Sequence, residues 1–113
     1  MSPFIPPEPP YYAVVFTSMR TGGDRGYAMT SDRMLELAAQ QPGYLGVDST
    51  RGEDGLGITV SYWRDAESIG AWRRVAEHER AQSAGRATWY QEYAIHVARV
   101  ERSTTFTRPA TDE

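Results

Sequence analysis

The run Tyr11-Tyr12-Ala13-Val14-Val15-Phe16-Thr17-Ser18-Met19 is largely apolar on both of its alternating faces. Aromatic and β-branched residues at this density suit a strand, and side chains alternate sides along a strand. Tyr11, Ala13, Val15 and Thr17 therefore point one way, and Tyr12, Val14, Phe16 and Ser18 the other. A strand with one solvated face would be polar at every second position, so this one needs cover on both sides. The run Tyr93-Ala94-Ile95-His96-Val97-Ala98-Arg99-Val100 repeats the pattern, with Tyr93, Ile95 and Val97 opposite Ala94, His96, Ala98 and Val100. A chain of 113 residues has material for one core, so a single layer of helices can cover only one side of such a sheet.

Four further elements lie between these strands. Tyr27 to Gln41 spaces Tyr27, Met34, Leu37, Ala38 and Gln41 as one helical face, and Pro42-Gly43 ends it. Tyr44–Thr50 and Gly57–Trp63 read as strands joined by the glycine- and aspartate-rich loop 51–56. The second of these carries Thr59, Ser61 and Trp63 on a mildly polar face that ends in an indole, as the wall of a pocket would. Asp65 is placed to cap a second helix, whose inward stripe is Ile69, Trp72 and Ala76 and which should fail near Ser83-Ala84-Gly85. Gly70 weakens that helix by roughly 1 kcal/mol relative to alanine, and leaves room for another element to approach. The glycines of loop 20–26 lack the order of a dinucleotide-binding fingerprint and read as a connection.

The order is β-α-β-β-α-β, the split arrangement of an α+β, ferredoxin-like domain. Its four-stranded antiparallel sheet carries both helices on one face. Residues 11–102 form the domain, residues 1–10, with five prolines, an arm outside the sheet, and residues 103–113 a polar tail. The bare face calls for a second copy packed sheet against sheet, a homodimer.

Composition narrows the chemistry. A net charge of −3 gives no footprint for nucleic acid. The absence of cysteine excludes thiolate chemistry, and the absence of lysine excludes Schiff-base catalysis. Without a leader or a long apolar run the chain reads as cytoplasmic, with no membrane partner. His78-Glu79-Arg80-Ala81-Gln82 has glutamine where a zinc helix needs its second histidine, so no metal site is expected. No serine sits in a nucleophile elbow.

The phrases RTGGDRGY, QPGYLG, GITVSYW and AQSAGRATWYQEYAIHVARVER resemble the antibiotic biosynthesis monooxygenase domain family over roughly residues 11 to 102. The resemblance implies a dimeric α/β barrel with a cavity between sheet and helices in each subunit. It also implies a cofactor-independent monooxygenase acting with dioxygen on a small aromatic or quinol-type compound. The same fold could instead serve a non-catalytic homodimer that binds a small hydrophobic molecule, with haem binding or degradation as a third reading. Composition offers His78 or His96 as base, with His78 the catalytic candidate, and the resemblance adds Trp72, whose distance after Trp63 matches the pocket tryptophan of haem-degrading relatives. Substrate contacts fall to Thr17, Thr59, Ser61, Trp63, Trp89, Tyr90, Tyr93 and His96. Each candidate also has a plainer role: Trp72 as core, His78 as a hydrogen-bonded helix end, His96 as a structural or dimer-facing group. The relatives' axial histidine falls on Gln82, and the asparagine of their first strand has no counterpart in a chain without asparagine. No cofactor is therefore expected.

Overall fold

The computed structural model describes residues 3–24, 26–83 and 89–110, with side chains 80–83 outside the description. The elements are β1 (Tyr11–Arg20), α1 (Tyr27–Ala39), β2 (Tyr44–Arg51), β3 (Leu56–Trp63), α2 (Ala66–Ser83) and β4 (Tyr90–Val100). The strands form one antiparallel sheet in the order β2-β3-β1-β4, which confirms the expected topology. Opposite β1, Val14 meets Ser61 and Val97, and Phe16 meets Thr59 and Ile95, so these residues share the helix-side face. Val15, Val60 and His96 share the other. The expected helix break at Ala84-Gly85 lies outside the described residues.

Local chemistry sets the helix ends. Before α1, the Asp24 carboxylate accepts hydrogen bonds from the Gly26 and Ala28 amides at 3.1 and 3.2 Å. Gly26 has φ 82°, a left-handed conformation that glycine adopts without a Cβ penalty. The helix stops at Ala39, two residues before the sequence pattern suggests, and Gln40 closes it by donating its amide to the Leu37 carbonyl at 3.2 Å. Asp65 caps α2 as expected, accepting the Ser68 amide at 2.8 Å. The expectation for Gly70 fails: among the described residues nothing outside its own helix backbone lies within 4 Å of where its Cβ would be. Arg33 of α1 and Glu79 of α2 approach to 3.7 Å across the helix pair.

The core gathers beneath the helices around Trp63, which is fully buried, with Ala38 and Ile69 beside it and Tyr12, Val14, Tyr44 and Trp72 packed on. Trp63 stacks on Trp72 at 6.2 Å and meets Tyr44 edge-on at 5.5 Å. Its indole N–H donates to Ser61 Oγ at 2.8 Å, so burial leaves no orphaned donor. An indole held this way is worth about 3–5 kcal/mol against alanine. β4 stands outside this core and is exposed along most of its length; Val97 remains 57% exposed although it faces the helix side.

The proline-rich arm lies on the opposite face. Phe4 stacks on Tyr62 at 4.7 Å, and its amide donates to Asp48 Oδ1 at 2.9 Å. Tyr62 donates to the other oxygen of the same carboxylate at 3.0 Å. Gly46 is required beneath it, because a Cβ there would overlap the Phe4 ring. The arm thus covers the β2–β3 part of the face and leaves Ile58, Ala94 and His96 exposed.

Candidate functional site

Between the helix-side face and the two helices lies a cavity of about 160 Å³. That is the order of an apolar cavity known to accept one benzene ring, about 150 Å³. Val14 and Phe16 of β1, Thr59 and Ser61 of β3 and Val47 of β2 form its floor. Tyr27, Ser31, Met34 and Ala38 of α1, and Trp72 of α2, form its roof. Trp89, Tyr90 and Ile95 close one side. No described lining residue carries a formal charge, so the cavity suits an apolar ring with a few polar substituents.

Of the residues singled out from the sequence, the fold brings Trp72, Thr59, Ser61, Trp89 and Tyr90 together around this space. Thr59 and Ser61 already have partners, since Thr59 Oγ1 and Ser49 Oγ are 2.6 Å apart and Ser61 accepts the Trp63 indole. Each hydroxyl keeps capacity for a further bond. Trp63 is not on the wall but behind it, stacked against Trp72. Tyr93 packs on Phe16 at 5.5 Å and is 40% exposed, outside the lining. Thr17, paired with Ala94, and His96, paired with Val15, lie on the other face of the sheet, where strand alternation puts them. His78 is exposed on α2 and does not line the cavity. Among the described residues no group of three acidic, histidine or cysteine side chains could hold a metal.

The most structured polar group is one the sequence left unassigned. Tyr27, the first residue of α1, turns its ring into the cavity and meets Trp89 and Tyr90 edge-on at 5.8 and 5.7 Å. Arg51, at the end of β2, donates from Nη2 to Tyr27 Oη at 3.2 Å and to Ser18 Oγ at 2.8 Å, and from Nη1 to the Ser18 and Gly55 carbonyls. Arg20, at the end of β1, lays its guanidinium over the Tyr27 ring, 3.7 Å from the centroid. Burial pushes the Tyr27 phenol toward a higher pKa, but hydrogen bonds from Tyr90, Arg51 and Ser31 and the charge of Arg51 outweigh it and bring the pKa below the ordinary 10.0. Tyr44, on the other side of the cavity, moves upward through burial alone.

Fold and cavity together define a class: a small α+β domain of ferredoxin-like topology with an aromatic-lined space between sheet and helices. The chain belongs to the antibiotic biosynthesis monooxygenase family, whose profile matches residues 10–84. It is 51% identical over 106 residues, 94% of this chain and 93% of the other, to the uncharacterized protein YqjZ of Bacillus subtilis (strain 168). It is 37% identical over 46 residues to the jasmonate monooxygenase ABM of Pyricularia oryzae, a stretch spanning 41% of this chain and 21% of that protein. The crystal structure of a point mutant of SnoaB, a cofactor-independent oxygenase from Streptomyces nogalater, superposes with a TM-score of 0.69 at 13% identity, covering 85% of this chain and 97% of that one. At that identity the likeness is one of fold.

Proposed function

We propose that this chain is a cofactor-independent monooxygenase that oxidises a small aromatic or quinol-type compound with dioxygen, working as a homodimer through the sheet face away from the helices. The observation that carries it is the ring-sized, uncharged, aromatic-lined cavity in a chain of this family. The name of the fungal relative is that of a monooxygenase and SnoaB is called a cofactor-independent oxygenase, which supports the reaction type. In such a reaction on an activated ring methylene, the carbon gives up two hydrogens and gains one oxygen atom as a carbonyl. The second oxygen atom leaves with those hydrogens as water, and the substrate supplies all four electrons. The protein's part is to hold the ring, exclude bulk water and stabilise the substrate anion from which electrons pass to oxygen. Trp72 walls the space, and Thr59 and Ser61 offer hydroxyls on its floor.

Oxygen uptake with a panel of anthrones and quinols tests this. Consumption by the wild type that falls to background in Trp72→Ala, with circular dichroism unchanged, is the expected result. No consumption across the panel would sink the catalytic reading. The second reading is a binding module without turnover, favoured by the absence of both histidines from the described lining. Tight binding of panel compounds without oxygen consumption would select it.

A further inference from the structure

At one end of the cavity a phenol sits between two guanidinium groups. Arg51 reaches the Tyr27 hydroxyl at 3.2 Å, and Arg20 covers the ring while its Nε and Nη2 donate to the Trp89 and Gly23 carbonyls at 3.0 and 2.8 Å. Among the described residues neither guanidinium has a carboxylate at ion-pair distance. Their acceptors are carbonyls and hydroxyls, which orient the two charges but do not neutralise them. The position of Arg51 is built into the backbone. Its guanidinium lies against Gly57, where a Cβ would overlap it.

We propose that Tyr27 and Arg51 form an oxygen-anion seat at this end of the cavity, which takes a small aromatic ligand by an ionisable phenol or enol hydroxyl and holds it as the anion. This assignment rests on the small-aromatic reading of the cavity. The ligand hydroxyl and the Tyr27 hydroxyl enter with two protons between them. One leaves to solvent, the other stays between the two oxygens, and the resulting negative charge faces Arg51. Among the described residues the groups facing Tyr27 are Arg20 from β1, Arg51 from β2, Ser31 from its own helix and Tyr90 from β4. The Asp24 carboxylate at the start of α1 is engaged by the Gly26 and Ala28 amides. Donors and cations thus set the field at the Tyr27 oxygen, and its own acidity is shifted in the same direction. Neither histidine has a part in it.

The probes are p-nitrophenol, whose anion has its own visible absorbance, and its methyl ether p-nitroanisole, which cannot ionise. With the full chain, bound p-nitrophenol should ionise about one pH unit below the free probe, equivalent to about tenfold tighter binding of the anion. Tyr27→Phe should abolish that shift and still bind p-nitroanisole as the wild type does, which reports that the cavity is intact. Gly57→Ala, which displaces Arg51 without touching Tyr27, should reduce the shift. An unshifted probe, or a full shift in Tyr27→Phe or in Gly57→Ala, overturns the seat. If p-nitroanisole binds as well as p-nitrophenol at every pH, the cavity reading stands and the seat falls. If neither probe binds, both fall.

Discussion

Tyrosines report most directly on the chemistry of single residues in this chain, because their environments push them in opposite directions. Tyr27 is drawn below 10.0 by its donors and Arg51 against the opposing effect of burial, whereas Tyr62 is raised by burial and then by its hydrogen bond to Asp48. In an alkaline titration followed by tyrosinate absorbance, Tyr27 should therefore ionise ahead of Tyr44 and Tyr62. The leading phase should vanish in Tyr27→Phe; a titration unchanged by that substitution would contradict the environment described. For Tyr62 the folded pKa lies above the unfolded one, so its contribution to stability is complete below about pH 10 and is lost as pH rises through the folded value. The stability difference between wild type and Tyr62→Phe should accordingly narrow in alkali. Neither environment is legible in the sequence. Arg20 and Arg51 are far apart along the chain and meet Tyr27 only because antiparallel pairing brings the ends of β1 and β2 to one end of the sheet.

Elements are far more legible, since strand alternation and helical spacing are local properties of the chain. The pairing of helix-side Val14 and Phe16 with Ser61 and Thr59 follows from period two once the strands are known. That same rule places Thr17 and His96 on the far face, so alternation applied strictly excludes both from the cavity on sequence alone. His78 is harder, because a position just past Ala76, at the end of a buried stripe, can face either way until the second helix is placed. Gly70 is ambiguous for a similar reason: a glycine in a helix signals either close packing or mere tolerance, and the neighbours decide. With no described residue near its Cβ position, Gly70→Ala in α2 gains helix propensity without a clash. Stability should rise by roughly 0.5–1 kcal/mol. Denaturant unfolding checks this, and a lower midpoint would show that the space is occupied in solution.

At the scale of the whole molecule, cover is unevenly distributed. The helices bury β1, β2 and β3 on one side, the arm covers part of β2 and β3 on the other through Phe4, and β4 stays largely bare on both. The two-sided apolar pattern of β1 and β4 demands cover for the remaining patch, around Val15, Ile58 and Ala94. A second copy seated there would bury the β1–β4 half of the face, because Phe4 already occupies its other half. Ala94 is exposed in the single chain, so Ala94→Glu should change the stability of one subunit by no more than about 0.5 kcal/mol. In a sheet-to-sheet interface the same carboxylate would be buried without a partner, a cost of several kcal/mol that no dimer of this size absorbs easily. Light scattering at micromolar concentration should give a dimer for the wild type and a monomer for Ala94→Glu, with p-nitroanisole binding retained if each cavity is complete within its own subunit. A wild-type monomer, or an Ala94→Glu dimer, would move the interface away from β1 and β4. The unusual exposure of β4 would then need a different partner.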